Sequence, residues 1–459
     1  MVKHDAFATG GGTVSARAPT ALALGGLLII ASYVVALQYL LEHAAYDVSG
    51  ALLVGPILVA LTYPLARSVA RAEADAGMVR IIFAALVLKL LASIVRYAVA
   101  FDVYDGVADA GLYIDYGTRV AEQFRTGDFT VDNGLAFIGV GFVASLTGAV
   151  LALVGPTELG GFLVFAWLGF WGLYFFYRAF CVGCADGDRR RYALLVFFLP
   201  SLLFWPSSIG KEAWMMLTLG LASYGAAKVL ARHAGGFPLL ALGLAGTVLV
   251  RPHMSALVCA GLVVAYAIKR GADRADPLAP VTRLLGIVVL VAVSAVVFGQ
   301  VARFLGVEGE GVDGVGNALT ETASRTNQGG SSYDAQPVRS PLQLPRAAVS
   351  VLFRPFPFEA HNLQSLVASF EGVALLALFV TSWPRLRSGA GRLRESPYVT
   401  FAAVYALLFV VAFSTFGNFG ILARQRVQLY PLALVFLALP RPGIVHPVRY
   451  ARNHGQRAR

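Results

Sequence analysis

Met78-Val-Arg-Ile-Ile-Phe-Ala-Ala-Leu-Val-Leu-Lys-Leu-Leu-Ala-Ser-Ile-Val-Arg-Tyr-Ala-Val-Ala100 runs without a break into Phe101-Asp-Val-Tyr-Asp-Gly-Val-Ala-Asp-Ala-Gly-Leu-Tyr-Ile-Asp115. The first stretch is apolar and long enough to cross a bilayer, which takes ~20 residues as a helix. The second sets four carboxylates, Asp102, Asp105, Asp109 and Asp115, at the exit of that crossing. Carboxylates so close together repel one another and gain nothing from lipid. They are tolerated where they bind a metal, act as a base or face water.

The composition puts the whole chain in the same solvent. Of 459 residues, 57% are hydrophobic and 14% charged. Soluble domains carry about 25% charged residues. The formal net charge is +11, and the excess lies in short loops and the C-terminal tail. A Lys/Arg bias of cytoplasmic loops explains this charge. No basic stripe with interleaved aromatics is present, so nucleic acid is not an expected partner. The polar stretch to Thr20 precedes an apolar run too long for a signal-peptide core, which reads as a retained anchor.

Apolar runs that cross or nearly cross fall at 20–41, 50–67, 78–100, 136–155, 159–181, 192–206, 210–231, 238–250, 253–269, 283–303, 363–383, 397–416 and 420–440. The tail (Arg441, Arg449, Arg452, Arg457, Arg459), the loop with Arg385, Arg387, Arg392 and Arg394, and the loop with Arg189 to Arg191 are assigned to the cytoplasm. The segments 206–211, 251–253, 304–362 and 415–425 then lie outside. Lys3 and Arg17 inside place the Asp-rich loop outside as well. The two walks meet only if one run between 101 and 181 does not cross. The Gly-rich run 136–155 is that run, lying at or re-entering from the outer surface. The expected fold is therefore an all-α integral membrane bundle of about twelve transmembrane helices. It divides into an N-terminal hairpin (1–77), a central module (78–270) with outer loop 101–158, and a C-terminal module (271–459) with outer loop 304–362.

Several constellations carry chemistry. Lys89 and Arg96 share one helix face inside the membrane, where an ion is costly unless it meets a bundle interior or a wet cavity. Lys211 and Glu212 open a helix at its outer end. The acid suits the helix dipole; the lysine does not, which points to an anion there. Arg251-Pro-His253, Arg354-Pro-Phe-Pro-Phe-Glu359-Ala-His361 and Arg424-Gln-Arg426 put further cations outside. Arginine binds phosphate bidentately, and several arginines converging near carboxylates would make a site for a lipid phosphate or pyrophosphate. Cys181-x-x-Cys184 follows a helix end expected at Arg178, with no second Cys/His pair nearby, and reads as structural. Walker A, HExxH, GxSxG and Rossmann patterns are missing from the sequence.

The order of these motifs resembles the GT-C superfamily of membrane glycosyltransferases. The family's first large outer loop carries an acidic residue, often Asp-Glu, a few residues before a Tyr and then a Gly. Asp109-Ala-Gly-Leu-Tyr113-Ile-Asp-Tyr-Gly117 is similar, with Ala110 in place of the second acid. Because of that departure Asp105, Asp102 and Asp115 stay open as the catalytic acid beside Asp109. Leu195 to Glu212 and Val248-Leu-Val-Arg251 also look like parts of the family layout, so the resemblance covers roughly 78–270. It implies membrane-parallel helices in the outer loop, and transfer of a sugar from a polyprenyl-phosphate donor to a glycan, lipid or protein acceptor. That reaction would run on the extracytoplasmic face of a bacterial inner membrane, with membrane lipids as surroundings. Asp109 would be the base with Asp105 assisting. Lys211, Arg251, Arg354 and Lys89 would hold the donor phosphate. Tyr113, Glu212, His253, Glu359, His361, Arg424 and Arg426 would line the substrate site. Asp105 and Asp109 would suit Mg²⁺ or Mn²⁺, although some members of the superfamily work without a metal. Two other readings remain: a polysaccharide polymerase or ligase using a polyprenyl-pyrophosphate glycan, in which Arg and His would outweigh carboxylates, and a lipid-linked sugar transporter or flippase.

Overall fold

The computed structural model describes residues 46–73, 76–131, 134–268 and 332–441, apart from a few positions between 333 and 340, together with scattered positions between 27 and 39. The run at 283–303, most of the run at 20–41, Lys3, Arg17, more than half of the loop 304–362 and the tail beyond Arg441 lie outside the described residues.

The described residues are helical and contain no strand beyond an isolated bridge between Ser332 and Asn418. In chain order the helices are α1 (Tyr46–Glu73), α2 (Ala76–Ala98, closed by a π-turn at Val99–Val103), α3 (Asp109–Arg125), α4 (Phe142–Val154), α5 (Glu158–Gly183), α6 (Arg189–Phe198), α7 (Pro200–Phe204), α8 (Lys211–Leu230), α9 (Gly236–Val248) and α10 (Pro252–Ile268). After the undescribed segment come α11 (Leu344–Phe353), α12 (Leu363–Thr381), α13 (Trp383–Arg392), α14 (Pro397–Phe413), α15 (Phe419–Gln425) and α16 (Tyr430–Ala433).

Among the described residues six stretches are long and apolar enough to cross a membrane: Tyr46–Leu65, Gly77–Val103, Phe137–Val154, Glu158–Gly183, Lys211–Leu230 and Leu363–Thr381. A seventh is added if the bent pair α13–α14 counts as one. The chain is a helical membrane protein. Its centre is α5 against α8, where the two backbones nearly touch. A Cβ added at Gly220 would lie 2.2 Å from the Gly172 carbonyl oxygen, so neither position has room for a side chain. Without water to drive apolar faces together, close packing of small residues is a main source of helix association in lipid.

The helix ends sort into two groups. At one end Arg385 pairs with Asp188 at 3.2 Å and Arg392 with Asp186 at 2.5 Å, while Arg191 donates to Ser382 Oγ. This basic end gathers residues 183–191, 382–396 and 438–441. At the opposite end Tyr104 donates to Gln364, Arg424 pairs with Asp109, and Tyr333 stacks on Phe419. The loops that the charge bias assigns to one side thus meet one another, and so do those assigned to the other.

Three local structures depart from continuous apolar runs. The run 192–206 is broken between α6 and α7 at Leu199-Pro200, since proline has no N–H for the ladder. The freed Ser201 N–H is taken by Glu371, and Lys89 donates to the carbonyls of Leu202 and Leu203 at 2.6 and 3.1 Å. The run 420–440 is several short pieces, α15, a 3₁₀ turn at Arg426–Gln428, α16 and a second 3₁₀ turn at Leu434–Ala438. The helix expected to stop at Arg178 continues to Gly183, so Cys181 is helical and Cys184 is its cap residue. Neither forms a disulfide among the described residues.

In the run 136–155 the continuous helix is α4, 13 residues and about 20 Å long. It is preceded by a kink in which Gly139 adopts φ 92°, a conformation glycine takes without strain. Gly139 N–H donates to the Leu249 carbonyl beside Arg251. After α4, Thr157 donates to the Asp47 carbonyl, and the Asp47 carboxylate accepts from Leu159 N–H. Along its side α4 packs on α3, whose terminal Arg125 donates to the Leu151 carbonyl.

Candidate functional site

Five helix ends and turns build a charged cluster. α2 leaves through its π-turn into a turn at Asp105 (φ 49°) and Gly106, and α3 then starts with Asp109 in its first turn. α8 starts with Lys211 and Glu212 after Gly210. Arg251 occupies the turn between α9 and α10, and α15 presents Arg424 near its last residue. An acid in the first turn of a helix is favoured by the helix dipole, which holds for both Asp109 and Glu212.

Arg424 joins them. Its Nη2 is 2.5 Å from Asp109 Oδ2 and its Nε 2.8 Å from Glu212 Oε1. Arg251 Nη2 reaches the same Glu212 oxygen at 2.9 Å. Burial falls outward along this chain: the Glu212 side chain is 4% exposed, Arg251 10%, Arg424 28% and Asp109 55%. Burial opposes the Arg424 charge, but Glu212 and Asp109 outweigh it and hold the guanidinium protonated. Lys211 and Arg96 lie within electrostatic reach of the same carboxylates. Arg96 covers the rings of Phe204 and Trp205 at 4.7 and 5.2 Å and extends to Ser208 Oγ at 3.5 Å. Tyr113, one turn into α3, is buried beneath the cluster. Burial, then the charges of Asp109 and Glu212, raises its phenol well above the usual range, so it stays a neutral donor.

The cluster therefore holds four cations, Arg96, Lys211, Arg251 and Arg424, against two acids, Asp109 and Glu212. Arg251 Nη1 is buried with no hydrogen-bond partner among the described residues. A surplus of two positive charges with an unsatisfied buried donor is an environment for an anion.

The other expected residues fall elsewhere. Lys89 is fully buried on the Leu202 and Leu203 carbonyls, closed to a surface ligand; it supports the segment that Arg96 touches. Arg426 is also fully buried, donates to the Arg354 carbonyl at 2.5 Å and lies under Tyr430. His253 sits in the first turn of α10 with its ring 6.4 Å from Phe413. Arg354 and Glu359 pair with each other at 2.5 Å, and Arg354 covers the Tyr333 and Phe419 rings. They line a cavity of about 400 Å³ with Arg346, Ser350 and Phe358. His361 is exposed in the loop before α12, and its N–H donates to Ser365 Oγ. Arg354, Glu359 and His361 thus belong to a neighbouring loop rather than to the Asp109 cluster.

Asp105 and Asp109 do not fit a divalent ion. Asp105 is exposed in its turn, one oxygen of Asp109 is taken by Arg424, and among the described residues no three His, Cys, Asp or Glu side chains come together. Arginine competes with a cation for the same carboxylate. Ser208 is a member of the cluster that motif spacing does not single out; Arg96, marked in the sequence by its face shared with Lys89 and its costly position within an apolar helix, joins the cluster while Lys89 does not. No family model matches the chain, nor does any curated protein or solved structure.

Proposed function

We propose that the chain is a membrane glycosyltransferase acting on a sugar carried by a polyprenyl phosphate, with a GT-C-like layout of about twelve crossings in a bacterial inner membrane. The observation that carries this reading is the cation-rich cluster around a half-exposed carboxylate at one end of an apolar bundle. The acceptor hydroxyl oxygen attacks the anomeric carbon, the bond from that carbon to the phosphate oxygen breaks, and the hydroxyl proton passes to Asp109. A positioned carboxylate contributes ~10²–10⁴-fold to such proton transfer. Arg424 orients Asp109 through Oδ2. Arg251, Lys211 and Arg96 balance the charge that grows on the leaving phosphate, which is where fixed positive charge lowers the barrier most. The attachment of both ends of α4 near one end of the bundle, and its short length, support the reading of 136–155 as a helix lying at the outer surface.

The excess of cations over acids also favours a second reading, a polymerase or ligase whose donor is a polyprenyl-pyrophosphate glycan. A transfer assay in membranes containing the full chain separates the two. Radiolabelled polyprenyl-phosphate sugars are expected to be consumed by wild type and spared by Asp109→Asn. Consumption of pyrophosphate-linked glycans alone would establish the second reading, and consumption of neither would remove both.

A further inference from the structure

The basic end carries more positive charge than its own acids balance. Residues 185–191, 382–396 and 441 contain eight arginines and three acids, Asp186, Asp188 and Glu395. Asp186 and Asp188 are already engaged by Arg392 and Arg385. Arg189, Arg190, Arg387, Arg394 and Arg441 remain exposed. Arg189 to Arg191 also occupy the first turn of α6, where the helix dipole disfavours cations and favours an anion.

The helix α13 gives this charge a direction. It follows α12, a candidate crossing, and is bent by 110° from α14, so it lies across the end of the bundle. One face is docked: Leu386 and Leu393 pack on the core, and Gly389 sits against Phe436 and Leu439. Away from that face Trp383 and, one turn on, Arg387 are exposed, Trp383 at 64%, and Arg394 is exposed in the turn just past the helix end at Arg392. A tryptophan that open to water is unfavourable. Tryptophan beside arginine on one helix face is the pattern of a surface that rests at the headgroup level of a bilayer.

We infer that α13 and the first turn of α6 form a binding surface for anionic phospholipid headgroups, with Trp383 set into the interface and Arg190, Arg387 and Arg394 on the phosphates. The occupant is a lipid rather than a soluble anion because Trp383 and Arg387 share one face of α13, with Arg394 just past its end, and α13 adjoins the lipid-exposed helix α12. Arginine matches a phosphodiester with two parallel hydrogen bonds. Each arginine near an anionic surface is worth about fivefold in affinity. This inference is independent of the proposed chemistry at the opposite end.

The test uses the purified full chain in nanodiscs of phosphatidylcholine, with and without phosphatidylglycerol, and reads lipid retained on the protein by native mass spectrometry. Wild type is expected to retain phosphatidylglycerol over phosphatidylcholine, and added salt to weaken the preference, because exposed charges are screened. Arg387→Gln with Arg394→Gln should lower the preference by about 25-fold, one fivefold factor for each arginine. Arg387→Lys with Arg394→Lys, which keeps the charge and loses the bidentate geometry, should retain most of it. No preference in wild type, or an unchanged preference in the double Gln variant, would overturn the inference. Free glycerol phosphate competing as well as the bilayer lipid would overturn the choice of a membrane surface.

Discussion

Glu212 and Asp109 both pair with arginine in one network, yet the two pairs should differ several-fold in energy. The separations barely distinguish them, 2.9 Å for Arg251–Glu212 and 2.5 Å for Arg424–Asp109. Burial does: Glu212 is 4% exposed and Asp109 is 55% exposed. Two unit charges at ~4 Å interact by about 1 kcal/mol in bulk water and about 4 kcal/mol at an effective dielectric of ~20. Removing one partner of a buried pair strands the other and costs ~3–5 kcal/mol. Exposed pairs are worth ~0.2–1 kcal/mol. A double-mutant cycle of Glu212→Gln with Arg251→Gln is therefore expected to show a coupling of about 3 kcal/mol. The cycle of Asp109→Asn with Arg424→Gln should show less than about 1 kcal/mol. The measurement is equilibrium unfolding of the purified full chain in one detergent at two salt concentrations. Salt should erase the smaller coupling and leave the larger one. A coupling at Asp109 equal to or above that at Glu212 would refute the argument from burial, and Asp109 would then be a structural anchor rather than a group free to exchange protons.

Asp109→Asn should abolish sugar transfer while leaving the unfolding midpoint close to wild type; retained transfer would remove Asp109 as the base. Lys89→Met should remove the buried donor from the Leu202 carbonyl, and one of two donors from the Leu203 carbonyl, which Ser207 Oγ also serves, and so destabilise the fold by about 2 kcal/mol, with donor KM unchanged. A raised KM at unchanged stability would return Lys89 to the donor site. Burial raises the Glu359 carboxyl, but hydrogen bonds from Arg354 and Phe356 N–H outweigh it and hold the group below the usual range. Because the folded value lies below the unfolded one, this stabilisation is complete above the unfolded value and is lost as pH falls through the folded one. The protection of amides in the loop 354–361, taken relative to their intrinsic exchange rates at each pH, should therefore fall in acid, and Arg354→Gln should flatten that dependence; equal protection profiles for the two proteins would dismiss the pair as the cause.

Helix positions were largely legible because an apolar run in a lipid solvent has few alternatives to a helix. The expected runs 159–181, 210–231 and 363–383 correspond to Glu158–Gly183, Lys211–Leu230 and Leu363–Thr381. The grouping of loops into two ends followed from counting arginines, since that bias is local in sequence. What could not be read is whatever depends on distant partners. The break at Leu199-Pro200 is tolerated because Glu371, remote in sequence, accepts from Ser201 N–H, and the carbonyls toward the other end of α7 are taken by Lys89, equally remote. Arg424 and Arg426 stand two residues apart in an identical motif, yet one bridges two carboxylates and the other is sealed beneath the Arg354 loop. Likewise Glu212, opening its helix in the expected place, is the buried keystone of two arginines, and no spacing rule could have named them both.

The Arg424 bridge also bears on the order in which the protein is made. Asp109, Lys211, Glu212 and Arg251 are all in the chain before residue 268, whereas the guanidinium that ties Asp109 to Glu212 arrives about 170 residues after Arg251, at ~5–20 residues per second. For that interval the early helices stand in the bilayer with a buried carboxylate that has only Arg251 as its ion-pair partner. A chain cut short before that last arginine would carry most of the cluster's charge with Asp109 and Glu212 untied.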